Sequence, residues 1–383
     1  MPRENAQRQS REKAQRRKRK SPLFAAVDLG TNNCRLLIAH RQGDGFSVVD
    51  SHSQIARLGE GLVVSGKLSD AAMDRAINAL TAIKRKLRHH KVGQVRCIAT
   101  EACRKASNSD EFVRRIREET GLTFKIIKPL EEVCLAAVGC HDLIDDKAEL
   151  VMVLDIGGGS TEISFLDVSS IGESTLKSLV NKVPIKAWAS FPLGVVTLTE
   201  AFSNHNETDA FPLMLAEARR TFETWSDGLA MKNAMTGTGA RLIGTSGTVT
   251  CLAGVHSGLS RYRRDAVDGM TLSHQDTFSV IERLKSAGMK GREQMPTIGK
   301  ERAGLMLSGC AILQAAMEIW SAPELCVADR GLREGLLLSM MHRKKPNGRG
   351  SRRRRSGKSK GAANANNGTS HQGTNHEVSD HGG

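Results

Sequence analysis

VMVLDIGGGSTEISF, residues 151–165, drops from an apolar run into an aspartate and three glycines, then a hydroxyl pair, a glutamate and a second apolar stretch. Val151-Met152-Val153-Leu154 reads as a strand buried on both faces, and Glu162-Ile163-Ser164-Phe165 opens a second strand that alternates. Gly157, Gly158 and Gly159 then fall in a hairpin turn. Glycine tolerates positive φ and lets N–H groups converge on an anion, the arrangement that cradles phosphate. A plain glycine-rich hairpin loop is the other reading of this stretch taken alone.

Upstream, Phe24-Ala25-Ala26-Val27 is another buried strand, followed by Asp28-Leu29-Gly30-Thr31-Asn32-Asn33 and the apolar run Leu36-Leu37-Ile38-Ala39. The layout is the same: strand, aspartate, small or hydroxyl-bearing turn, strand. The two aspartates lie 127 positions apart, which points to a duplicated domain-sized unit rather than a short-period solenoid. Between the copies the pattern is mixed α/β. Ser69-Asp70 caps a helix with Met73, Ile77, Leu80, Ile83 and Leu87 on one face. Strands are expected over 94–100 and 124–128, with a helix over 109–120 closed by Gly121. Pro129 opens a helix over 130–144 that puts Glu131 and Glu132 in its first turn. Beyond 165 come further strand-like stretches and a helix over about 212–231. Arg241–Val249 is a strand entering a glycine-and-hydroxyl turn that opens a helix, again suited to phosphate. A long buried helix is expected over 299–320, then a strand, turn and final helix over 325–341.

The 383 residues suffice for two ordinary domains, with 39% hydrophobic residues for their cores. The net charge of +15 sits at the ends: residues 1–20 carry +7 and residues 342–383 carry +8, so the body nets to zero. Both ends lack periodic apolar residues and are expected to be disordered basic tails, over 1–22 and 342–383. Their partner would be a polyanion such as RNA or polyphosphate, unless they are only solvated termini. Eight scattered cysteines form no pair at two-residue spacing, which fits a reduced, cytoplasmic setting. No apolar run has membrane-spanning length, and the stretch after the basic N-terminus is too short and too quickly acidic for a signal peptide. No membrane partner is expected.

Three glycine-and-hydroxyl turns at strand ends, two of them with carboxylates, are what phosphate plus a divalent cation require. FAAVDLGTNNCRLLIA (24–39), VMVLDIGGGSTEISF, LIGTSGTVTCLAG (242–254) and ADRGLREG (328–335) resemble segments of the exopolyphosphatase and guanosine pentaphosphate phosphatase family. That family is part of the actin, Hsp70 and sugar kinase superfamily, and the similarity runs from about Phe24 to Met340. It implies an α/β, two-lobed ribonuclease-H-like fold, with lobes over 23–147 and 148–341 and the active site in the cleft between them. Members remove the terminal phosphate from polyphosphate, guanosine pentaphosphate or both, using Mg2+.

By this resemblance Asp155 and Glu162 hold the metal, and Gly157, Gly158, Gly159, Ser160 and Thr161 donate to phosphate. Asp28, Gly30, Thr31 and Asn32 face the phosphate chain from the first lobe, and Ser246, Gly247 and Thr248 from the second. ATEACRKASN (99–108) resembles the segment whose arginine contacts phosphate, which indicates Arg104; the other reading is a surface salt bridge. IIKPLEEVCLAAVGC (126–140) resembles the family's Glu-Glu pair, whose second member activates the attacking water, making Glu132 the general base. Without the resemblance that pair would simply complement the helix dipole. A homodimer would be in keeping with the family.

The chain departs from the family pattern at Val133-Cys134, where Ala-Arg is common; the change removes a cation near the polyanion and bears on chain-length preference. Some members carry further helical domains after the lobes, where this chain has its +8 segment, so Arg352–Arg355 are candidates to grip long polymer electrostatically. The leading reading is a metal-assisted phosphohydrolase. A sugar-kinase-like phosphotransferase would need an acceptor pocket that no segment suggests. A non-catalytic polyphosphate- or alarmone-binding protein, docked on RNA or the ribosome by basic tails, is the third reading.

Overall fold

The computed structural model describes residues 22–145, 147–169, 171 and 175–342. The tails expected over 1–22 and 342–383 lie, apart from Pro22 and His342, outside the described residues. Strands β1 (Leu23–Leu29), β2 (Asn33–Gln42) and β3 (Gly45–Ile55) form an antiparallel meander. Strands β4 (Gln94–Ala99) and β5 (Phe124–Ile126) add to it in parallel, giving the order β3-β2-β1-β4-β5.

The second half repeats this plan. Strands β6 (Leu150–Ile156), β7 (Thr161–Asp167) and β8 (Ile185–Phe191) form the meander, and β9 (Ala240–Thr245) and then β11 (Glu324–Ala328) follow in parallel. The order is β8-β7-β6-β9-β11, with the short β10 (Thr271–Ser273) as an added antiparallel edge. The central strands are buried on both faces, which is why β1 and β6 read as unbroken apolar runs.

The helices that matter for the site are α1 (Asp70–His89), α2 (Glu101–Lys105), α3 (Ser109–Thr120) and α4 (Pro129–Gly139) from the first half. From the second come α5 (Val195–Ala201), α6 (Glu207–Glu223), α7 (Gly247–His256), α8 (Met306–Ile319) and α9 (Leu332–His342). Ser69 Oγ accepts from Ala72 N–H at 3.3 Å to start α1, whose five apolar positions are all buried. Gly121, at φ 69°, ends α3.

Three expected helices differ. The helix after Pro129 stops at Gly139 rather than near 144, because α9 crosses it there. The helix expected over 212–231 starts at Glu207, since Asn206 Oδ1 accepts from Asp209 N–H at 3.0 Å, and it ends at Glu223. The long helix over 299–320 breaks at Gly304-Leu305 into Lys300–Ala303 and α8.

Helices α4 and α9 cross with their backbones in contact. A Cβ on Gly335 would overlap the carbonyl of Leu135, and one on Gly139 the carbonyl of Gly331. Leu336, Leu337 and Met341 of α9 then reach the first sheet, sharing a core with Phe24, Ala26, Leu37 and Ile98. Leu135 of α4 joins that core, while Ala137 and Cys140 pack with Val151 and Val153 of β6. The two crossed helices therefore join the two sheets. Among the described residues no helix is long and apolar enough to cross a membrane.

Candidate active site

The β1–β2 and β6–β7 turns are built alike. Gly30 N–H donates to Asn33 O at 3.0 Å, and Gly157 N–H, 127 positions on, donates to Ser160 O at 2.9 Å. In each turn the carbonyls are tied back. Thr31 O accepts from Gly59 N–H, and Asn32 O from the N–H groups of Ala56 and Arg57, all at 2.9 Å. Gly157 O and Gly158 O accept from Val195 and Val196 N–H, in the first turn of α5, at 3.0 and 2.8 Å. The amides of Thr31, Asn32, Gly158 and Gly159 donate to no protein acceptor among the described residues. Backbone with its carbonyls occupied and its N–H groups free is receptive to an anion.

The three glycines are not there for conformational freedom: none of them has a positive φ. What requires them is close approach. A Cβ on Gly158 would lie 3.1 Å from Asn32 N, and one on Gly159 2.6 Å from Thr31 Oγ1, so the two turns press together. Gly194 packs from the other side against the Gly158–Gly159 peptide, where a Cβ would collide with it. The third turn links β9 to α7. Ser246 takes φ 147°, a region that disfavours side chains, and its Oγ accepts from Val249 N–H at 3.4 Å. The first amides of α7 lack intrahelical acceptors, as at every helix start.

Register sets the carboxylates. Asp155 stands directly opposite Glu162 on β6 and β7, and Asp28 stands opposite Arg35 on β1 and β2. The first-half pair has opposite charges, whereas the second-half pair is a buried like-charge pair, unfavourable unless a cation joins it. Burial and then Glu132 push the Asp155 carboxyl up to about 7; burial and then Asp155 push Glu162 up to about 7. Ser190 Oγ donates to Glu162 Oε1 at 2.7 Å. Glu132, in the first turn of α4 and 7% exposed, is raised well above the usual carboxylate range by burial and by Glu162. In the contest between helix dipole and burial, burial wins. Asp28 is likewise raised by burial, and its Oδ1 has no hydrogen-bond partner among the described residues.

Four buried carboxyls that cannot all ionise unaided fit a hard divalent cation. No three His, Cys, Asp or Glu side chains among the described residues form a complete cage, so a cation on Asp155 and Glu162 would draw its remaining ligands from phosphate and water.

The cleft between the turns has a volume of about 280 Å³. Asp28, Gly30, Thr31, Asn32, Glu132, Asp155, Gly157, Gly158, Gly159, Ser160, Ser246, Gly247 and Thr248 line it. Glu162, Thr161 and Arg104 are not among its lining residues. Glu162 is 3% exposed, and Thr161 Oγ1 donates to Leu193 O at 2.5 Å. Arg104 is no surface residue. It donates through Nη1 to Glu132 Oε2 at 2.7 Å and to Ile127 O at 3.0 Å, and through Nε to Glu101 Oε2 at 3.0 Å.

Several lining residues escape sequence reasoning: Arg35, Glu101, Tyr262, Arg302 and Arg333. For Arg35 a signal exists, because the 127-residue offset aligns it with Glu162. Tyr262 and Arg302 come from segments with no recognisable pattern.

Two copies of one sheet, joined by crossed helices around a carboxylate-lined, anion-receptive cleft, define a two-lobed α/β fold of the actin-like, ribonuclease-H-like type. The chain belongs to the Ppx/GppA phosphatase family, whose model matches residues 37–344. It is 27% identical over 323 residues to the guanosine-5'-triphosphate,3'-diphosphate pyrophosphatase of Aeromonas salmonicida, covering 84% of this chain and 60% of that relative's length. The crystal structure of the Aquifex aeolicus Ppx/GppA family member matches with a TM-score of 0.66 at 26% identity, covering 84% of this chain and 97% of the other. An exopolyphosphatase from Cytophaga hutchinsonii has the same fold, with a TM-score of 0.72 at 23% identity over 83% of this chain and 97% of the other.

Proposed function

We propose that this chain is a metal-dependent phosphohydrolase that removes the terminal phosphate from inorganic polyphosphate, guanosine pentaphosphate or both. The observation that carries this reading is the convergence of free turn amides from both halves on the cleft that Glu132 and Asp155 line. The amides of Thr31, Asn32, Gly158 and Gly159, with the first turn of α7, bind the non-bridging oxygens of the terminal phosphoryl group. Asp155 and Glu162 would hold a divalent cation such as Mg2+, which supplies counter-charge to those oxygens. Glu132 accepts a proton from the attacking water and orients it in line with the leaving oxygen; burial raises its proton affinity above that of an ordinary carboxylate, which strengthens it as a base.

Tyr262, the only aromatic residue lining the cleft among the described residues, and the Aeromonas relative's name both favour a nucleotide among the substrates. The test is phosphate release by the full chain with magnesium, offered polyphosphate and guanosine pentaphosphate in parallel. Glu132→Gln is expected to lower release about 10²–10⁴-fold. If wild type and variant are equally inactive yet bind both compounds, the chain is a binding protein and the hydrolase reading fails.

A further inference from the structure

Arg104 has its guanidinium inside the protein, between two carboxylates. The planar group presents two edges and an end in fixed directions. Nε donates to Glu101 Oε2 at 3.0 Å; Nη2 lies 2.8 Å from the same oxygen but makes no hydrogen bond among the described residues, so that edge is held through Nε and the ion pair. Nη1 reaches the other way, to Glu132 Oε2 at 2.7 Å and to Ile127 O at 3.0 Å. Both carboxylates and the guanidinium are nearly buried, with side-chain exposures of 12%, 9% and 13% for Glu101, Glu132 and Arg104. Glu132 Oε1 bonds no protein group among the described residues, which leaves it for the attacking water.

Glu101 is fixed independently of the ion pair. It opens α2 three residues before Arg104, just past the end of β4, and lines the cleft. Its Cγ would lie 3.3 Å from a Cβ on Gly159, so its stem packs against the second half's glycine turn. The internal duplication marks the position as well. Ile98 pairs with Asp28 as Thr245 pairs with Asp155, so Glu101 stands where the second half places Thr248. There the second half offers a hydroxyl to the cleft; the first half offers an anion that takes hold of an arginine.

We propose that Glu101 is a positioning residue for the hydrolysis reaction, acting through Arg104 to orient Glu132. This rests on the reading of Glu132 as the base. Held on one edge by Glu101, the guanidinium has a single direction left for Nη1, and that direction fixes which oxygen of Glu132 is bound and which faces water. Without Glu101 only the Ile127 carbonyl restrains the arginine, and the productive Glu132 conformation is selected less sharply.

The test compares the wild type with Glu101→Gln, Glu101→Ala, Arg104→Lys and the Glu101→Gln/Arg104→Lys double variant, using whichever of polyphosphate and guanosine pentaphosphate the wild type hydrolyses. Expected are a kcat about tenfold lower in Glu101→Gln and lower still in Glu101→Ala, with KM within about twofold and thermal midpoints unchanged in the isosteric Gln variant. The double variant should be no slower than Arg104→Lys alone, because the two residues act as one unit. Multiplying effects in the double variant, an unchanged kcat, or a loss confined to KM would each overturn the proposal. Glu132→Gln, run alongside, separates the two ideas. If it stays active, the base assignment has failed; if it is inactive while the Glu101 variants match wild type, only the Glu101 proposal has failed.

Discussion

Asp155 and Glu162 face each other with like charge, and both carboxyls are held near 7. Such an acid keeps its proton in the folded protein at pH values where the unfolded chain has lost it, so the folded state binds more protons between about pH 4 and pH 7. Stability should therefore fall as pH rises through that window. With a chelator present, the thermal midpoint is expected to drop from about pH 5 to about pH 8, and to drop less in Glu162→Gln. Magnesium should raise the midpoint at the alkaline end in the wild type and not in the variant; equal responses would remove the cation from Glu162. Elsewhere in the cleft lining, Tyr262→Ala is expected to lower kcat/KM for guanosine pentaphosphate about tenfold and leave polyphosphate almost untouched, since only the nucleotide has a base to stack. Asp28, Asp155 and the glycines are legible in the sequence because a strand, a turn and a strand are local and contiguous. Tyr262 and Arg302 are not, because only the folding of distant segments within the second half, which sets them beside Thr250, Cys251 and Asp329, brings them to the cleft.

Among elements, backbone meets backbone closely near the site at the α4–α9 crossing and at the α5 start. Gly335→Ala forces a methyl group onto the Leu135 carbonyl and is expected to destabilise by at least ~1–3 kcal/mol, read from denaturant midpoints. Gly194→Ala pushes instead on the Gly158–Gly159 peptide. It should cost activity about tenfold or more while shifting stability less, a split that steady-state kinetics and a melt on the same preparation would expose. Elements whose caps are plain in the chain, such as α1 behind Ser69 and α3 before Gly121, fall where the periodicity puts them. The start of α6 does not, because its cap, Asn206, lies before the apolar pattern begins, and Pro212 sits inside the helix. The end of α4 was invisible for another reason. What stops it is the partner helix at Gly139, a contact some two hundred residues away.

For the whole molecule, duplication is the most legible property. The 127-residue offset of the aspartates anticipated two sheets with the same strand order, down to the same hydrogen bond in each turn. The +15 charge belongs to the chain ends, so removing residues 346–383 is expected to weaken binding to long polyphosphate and flatten its salt dependence, as measured by titration at several ionic strengths. The return of α9 to the first sheet has a further consequence, for the order in which the chain can fold during synthesis. Phe24, Ala26, Leu37 and Ile98 emerge from the ribosome early, but the residues that cover them, Leu336, Leu337 and Met341, emerge more than two hundred positions after the last of the four. Until then the nascent first half carries an apolar face that only Ile127 and Leu135 cover in part, and depends on chaperones or on delay; a chain ending at residue 331 should stay in that state, aggregating with both of its sheets already translated.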